Sequence, residues 1–181
     1  MINKHVAIID YGTGNIKSIT SALKKVGAES VLTRNREEIL NSDSMILPGV
    51  GAFASAMERL HSYDLVNVIK EFVCVRQKPI LGICLGLQLL FEESEEFGLT
   101  KGLNLIKGRV IKMPTGIVKK LPHIQWSEVR ISESKKDSNA LLEGIADNSM
   151  VYFIHSFVVM PQGKEDIPMI RAGGALNLLR Q

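Results

Sequence analysis

Between Lys78 and Leu90 the chain reads Lys-Pro-Ile-Leu-Gly-Ile-Cys-Leu-Gly-Leu-Gln-Leu-Leu, a short apolar run that turns at Gly-Ile-Cys-Leu-Gly and continues with helical spacing. This pattern predicts a strand, a sharp turn carrying Cys84, and a helix. Gly82 and Gly86 stand two residues to either side of Cys84, and they remove the side chains that would crowd a strained strand-to-helix turn. The thiol then stands exposed above the sheet edge, at the positive end of the helix dipole. The amide of Leu85 points toward an oxyanion forming on any carbonyl that Cys84 attacks. The chemistry on offer is acyl transfer through a thioester. Most free cysteines are small buried hydrophobes, and Cys74 fits that description. It falls in a predicted helix from Ser62 to Gln77, beside an apolar stripe of Leu65, Ile69, Phe72 and Val73.

The residues ahead of the elbow read as a β-α-β unit. The apolar run His5 to Asp10 is a buried strand, Tyr-Gly-Thr-Gly a tight loop, and Asn15 the cap of a helix carrying Ile16, Ile19, Leu23 and Val26 on one face, with Gly27 at its end. A strand over Glu29 to Thr33, a helix over Arg34 to Leu40 and a strand over Ser44 to Leu47 follow. Gly12 and Gly14 begin a G-x-G-x-x-G pattern, but Lys17 occupies the third position. The segment therefore reads as a tight turn at the carboxyl edge of the sheet rather than a nucleotide site. After Leu47, Pro-Gly-Val-Gly-Ala-Phe leads into a helix through Leu60. The amides of Gly49, Val50 and Gly51 complement that of Leu85 as a second side of an oxyanion site.

Beyond Phe91 the pattern changes. Glu92 to Glu96 reads as an acidic helix end or solvated face, and short antiparallel strands are expected from Leu103 to Ile131. Leu141 to Asn148 reads as a turn or short helix, and Met150 to Met160 as a last strong strand with Val151, Phe153, His155, Phe157 and Val159 on one face. The expected fold is α/β: a mostly parallel open sheet flanked by helices, with a small antiparallel extension, in one domain over residues 1–181. A net charge of +3, from 22 basic and 19 acidic residues without a basic cluster, argues against nucleic-acid binding. Two cysteines without CxxC spacing, no secretory leader and no apolar run long enough to span a bilayer point to a cytoplasmic protein. The four histidines show no metal-ligand spacing, so neither a metal nor a cofactor is expected.

Several stretches taken together carry a resemblance: Ile9-Asp10-Tyr11-Gly12-Thr13-Gly14-Asn15, Leu47-Pro48-Gly49-Val50-Gly51-Ala52-Phe53, Gly82-Ile83-Cys84-Leu85-Gly86-Leu87-Gln88, Leu121-Pro122-His123-Ile124-Gln125-Trp126 and Tyr152-Phe153-Ile154-His155-Ser156. In this order they resemble the class I glutamine amidotransferases, which have a flavodoxin-like fold, and within them the glutaminase subunits of imidazole glycerol phosphate synthases. The resemblance implies that Cys84 takes the glutamyl group of glutamine and that Gly49, Val50 and Gly51 form a mobile oxyanion strand. It implies that Gln88, His155 and Ser156 hold the amino-acid end of the substrate. It also implies a heterodimer in which ammonia passes to a (β/α)8-barrel synthase subunit, with Tyr11, Asn15, His123 and Trp126 on the docking face. Two departures stand out. Gln125 and Ser127 replace the glycine and asparagine usual around the tryptophan, which points to a paralogue serving a different barrel, such as the similar pairs that aminate sugars of surface polysaccharides. The His-Pro-Glu segment that supplies the family's general base and its orienting glutamate is not found, as for a C-terminally incomplete domain. The second expectation is accordingly a docking subunit of a barrel synthase with impaired or no catalysis.

Overall fold

The computed structural model describes residues 5–114, 120–130, 144–146, 148–162 and 171–172. The chain divides into two compact units, Met1–Lys107 and Gly108–Gln181.

The first unit is built on a parallel sheet of β1 (His5–Ile9), β2 (Glu29–Thr33), β3 (Ser44–Leu47) and β4 (Ile80–Gly82), in the order β2-β1-β3-β4. β1 lies at the centre, and Val6 to Ile9 are all buried. A parallel strand covered on both faces needs such an unbroken apolar run. Pairing Ile8 with Leu32 on one side and with Ile46 on the other fixes the register. Parallel neighbours require crossovers, supplied by α1 (Ile16–Lys25), α2 (Arg36–Asn41), and α3 (Phe53–Ser62) followed by α4 (Leu65–Lys70). Asn15 caps α1 by accepting from Ser18 N, and Asn35 caps α2 by accepting from Glu37 N and Glu38 N.

The predicted helix Ser62 to Gln77 is two pieces. Asp64 adopts a left-handed conformation (φ 53°) that separates α3 from α4, and Glu71–Val75 widens into a π-turn. Leu65, Ile69 and Phe72 are buried as expected, but the wider turn shifts the phase of the helix and Cys74 is exposed. Cys74 is thus not a core residue.

α5 (Leu85–Leu89) follows β4 and is short. The returning chain accounts for its length: Leu103 N donates to Leu89 O and Leu105 N and Ile106 N to Leu90 O, which removes the carbonyls a longer helix would use. The acidic run is consequently not a helix end. Phe91–Ser94 is β5, paired antiparallel with β6 (Thr100–Lys101), and Phe91 and Ser94 are buried.

The second unit is antiparallel. β7 (Ile106–Lys112) pairs over Gly108 to Lys112 with β10 (Phe157–Pro161). β8 (His123–Arg130) pairs with β9 (Met150–His155) and with β11 (Arg171–Ala172). The last strand predicted from the sequence breaks at Ser156, so Val151, Phe153 and His155 serve β8 while Phe157 and Val159 serve β7. Half of the expected Leu141 to Asn148 turn, residues 141–143 and 147, lies outside the described residues.

Lys78, half-buried, closes the first unit by donating from Nζ to Leu40 O (2.8 Å) and Ser42 O (2.6 Å) where α2 ends. Lys78→Met keeps the aliphatic stem and strands both carbonyls, and urea denaturation should show a loss of about 1–3 kcal/mol.

Candidate active site

The turn between β4 and α5 matches the sequence expectation closely. Cys84 sits at φ 56°, ψ −116°, a conformation rare for a residue with a β-carbon, and its side chain is exposed. Gly86 N donates to Ile83 O and Leu87 N to Cys84 O, both at 3.0 Å, which folds the chain back on itself. As the first residue of α5, Leu85 has no partner for its N–H within the helix. The two glycines are required by contact. A β-carbon at Gly82 would lie 2.6 Å from Leu87 N, and one at Gly86 would lie 1.9 Å from Leu47 O. The elbow therefore rests directly on the end of β3.

Pro48–Ala52 runs on from β3 beside the elbow, and Gly49 packs against it: a β-carbon there would be 2.7 Å from Gly86 N. Gly51 takes φ 96°, open to glycine alone without strain. Val50 is half-exposed, and its peptide is held by Thr13, whose Oγ1 accepts from Val50 N (3.2 Å) and donates to Val50 O (3.0 Å). An N–H committed to Thr13 cannot also face an oxyanion beside Cys84, so Val50 can serve there only once that bond breaks.

Gly12 and Gly14 also serve packing. Their φ angles are 81° and 117°, and β-carbons there would meet Arg59 Nη1 and Pro48 Cβ, each at 2.7 Å. The loop is a tight turn folded onto the Pro48 strand. A cleft of about 440 Å³ lies along it, lined by Gly12 to Gly14, Val50 to Ala52 and Arg59; Cys84 does not line it.

Tyr11 is fully buried, with its hydroxyl donating to Pro48 O at 2.6 Å, and His123 is 4% exposed. Neither can present a side chain to a partner, which corrects their assignment to a docking face. Asn15 and Trp126 are exposed. Sequence reasoning missed Thr13, and also Glu96, whose carboxylate accepts from Phe53 N at 2.7 Å at the start of α3. An acid near a helix N-terminus is a known stabilising pattern, but 43 residues of separation hide this pair in the sequence.

Gln88 is half-buried on α5 in the first unit. In the second unit His155 Nδ1 donates to Phe157 O (3.0 Å), leaving Nε2 as the bare nitrogen of the neutral ring. Nε2 is buried and without a partner among the described residues. The His155 ring meets that of His123 edge-on at 5.4 Å, and Ser127 Oγ lies 3.5 Å from His123 Nε2. Ser156 follows at the strand break, its carbonyl accepting from Met113 N.

The class-I glutamine amidotransferase family profile matches residues 7–172. The chain belongs to that family. Among its relatives, the imidazole glycerol phosphate synthase subunit HisH of Bacillus cereus (strain G9842) is 52% identical over 152 residues, covering 84% of this chain and 69% of the relative. The protein of the same name from Bacillus thuringiensis subsp. konkukian is 50% identical over 154 residues, with the same coverage. Among solved structures, a glutamine amidotransferase superposes with a TM-score of 0.67 at 18% identity, covering 93% of this chain and 85% of that one. A chain of PurLQS from Thermotoga maritima gives 0.62 at 16% identity, covering 96% and 78%. These two carry the fold alone. The flavodoxin-like α/β fold read from the sequence stands.

Burial is the main cause that holds the His155 pKa below its ordinary 6.5, with the neighbouring His123 adding to it, while the Phe157 carbonyl opposes both. A folded-state pKa below the unfolded one gives stability that is present above pH 6.5 and is lost as pH falls toward the lowered value. The urea midpoint should therefore fall between pH 7.5 and 5.5, and His155→Gln should flatten that slope.

Proposed function

We propose that this chain is the glutaminase subunit of an imidazole glycerol phosphate synthase, working in the cytoplasm in histidine biosynthesis with residues 1–181 acting as one amidotransferase domain. The observation that carries the reading is the Cys84 elbow, strained and exposed, with its glycines packed against the end of β3. Cys84 Sγ attacks the side-chain amide carbon of glutamine, forming a C–S bond. The Leu85 amide and the Gly49 to Gly51 strand receive the negative charge on oxygen. The tetrahedral intermediate collapses with loss of ammonia, which takes up the proton given up by the Cys84 thiol as it leaves. Water then cleaves the thioester to give glutamate and return the thiol. Gln88 in the first unit, and His155 and Ser156 in the second, are the residues that the family resemblance assigns to the amino-acid end of the substrate.

The partner is a barrel synthase subunit that consumes the ammonia in a heterodimer. Support comes from the outer face of the β8–β9 hairpin. There Ile124, Trp126, Tyr152 and Ile154 are each half-exposed or more, and the Trp126 and Tyr152 rings lie 5.7 Å apart. An apolar, aromatic-centred patch of this kind suits a partner interface. Asn15, exposed in the first unit, is a further residue proposed to meet the partner.

The alternative expectation, raised by the His-Pro-Glu segment that supplies the base in the family, is a docking subunit with little turnover. A glutamate-release assay with and without the barrel subunit separates the two. Glutamate release that the partner stimulates and Cys84→Ala abolishes supports the glutaminase. Partner binding with turnover about 10³-fold below that of a relative carrying the segment supports the docking subunit. Neither binding nor turnover would sink both.

A further inference from the structure

We propose that Tyr11 is a positioning residue for the oxyanion strand, acting through Pro48 and Gly49 without touching substrate. The inference rests on the glutaminase reading above and adds to it a residue that sets where the strand lies.

Tyr11 is among the largest fully buried side chains of the first unit, and its hydroxyl is a polar group that needs a partner there. It finds one in Pro48 O at 2.6 Å. Proline has no N–H, so this carbonyl is the one main-chain hydrogen-bonding group by which residue 48 can be held. The same hydroxyl forms one wall of the slot occupied by Gly49. A β-carbon at Gly49 would lie 2.8 Å from Tyr11 Oη, 2.8 Å from Leu85 Cβ and 2.7 Å from Gly86 N. The phenol, the oxyanion strand and the elbow therefore meet at the place a Gly49 side chain would occupy. The bond to Pro48 O fixes where the strand runs past that slot, and with it the distance between the Gly49 peptide and the Leu85 amide.

The hold does not weaken with pH in the working range. Burial, the largest cause, pushes the phenol up to about 12, so the hydroxyl remains a donor. The hold also differs from that of Thr13. Thr13 grips the exposed Val50 peptide, which must let go for its N–H to serve, whereas Tyr11 grips the buried end of the strand, which has no reason to move.

The test compares two reactions of the Cys84 thiol in the full chain. Acylation by p-nitrophenyl acetate forms the thioester through an oxyanion and releases p-nitrophenolate, which leaves without needing a proton. Alkylation by iodoacetamide displaces iodide at a saturated carbon and forms no oxyanion. In each case the Cys84-dependent rate is the difference from Cys84→Ala. Tyr11→Phe keeps the ring and removes the donor. It should lower the acylation rate about tenfold or more, since small misplacements of this kind are costly, while alkylation and the near-ultraviolet circular dichroism stay unchanged. Unchanged acylation, or equal falls in both rates, would overturn the proposal. Absence of Cys84-dependent acylation in the unsubstituted chain would overturn the glutaminase reading and this inference together. If Tyr11→Phe does not fold, 3-fluorotyrosine at position 11 keeps the size and strengthens the donor. A changed acylation rate with unchanged alkylation then supports the proposal, and no change overturns it.

Discussion

Two loops at the carboxyl edge of the parallel sheet lie in direct backbone contact, and the candidate site depends on that contact. Gly86 fits under the Leu47 carbonyl and Gly49 against the Gly86 amide because neither carries a side chain; a single methyl at Gly86 would approach Leu47 O to 1.9 Å. The end of β3 and the start of α5 thus form one rigid corner. Cys84 is held in its strained conformation by that corner, since left alone it would relax to an ordinary φ. The corner also explains why the nucleophile and the strand proposed to stabilise charge come from adjacent strands of one sheet.

Polar contacts from two other loops complete it. Tyr11 and Thr13 reach over from the end of β1, and Glu96 reaches from the β5–β6 turn to the first amide of α3. Each holds a different point between Pro48 and Phe53. The grips differ in kind: Tyr11 and Phe53 are buried, whereas Thr13 holds a half-exposed valine. A segment fixed firmly at both ends and loosely in its middle is suited to turning one peptide without disturbing its neighbours.

The strands were legible in the sequence where burial on both faces demanded unbroken apolar runs, as for β1 and β3, and the elbow was legible because its glycines have steric work to do. What escaped depends on phase and on distant partners. One extra residue in the π-turn at Glu71–Val75 rotates Cys74 into solvent, and nothing in the apolar stripe announces it. Tyr11 follows a strand end, where exposure is the ordinary outcome, but a carbonyl 37 residues away draws its hydroxyl inward. His123 and Trp126 were assigned to one surface although three residues apart in a strand puts them on opposite faces. Only Trp126 is exposed. The acidic run became a strand because returning amides claimed the carbonyls at the end of α5.

Both thiols are exposed, so accessibility does not distinguish them and the shape of the surroundings must. On the proposed function, Cys84 is the reactive centre and glutamine its substrate. Its most direct test is peptide mapping by mass spectrometry after brief treatment of the folded chain with a chloroketone analogue of glutamine. A single adduct on Cys84, suppressed by L-glutamine and not by L-alanine, is the predicted result. Equal labelling of Cys74, or labelling of Cys84 that glutamine does not slow, would contradict it.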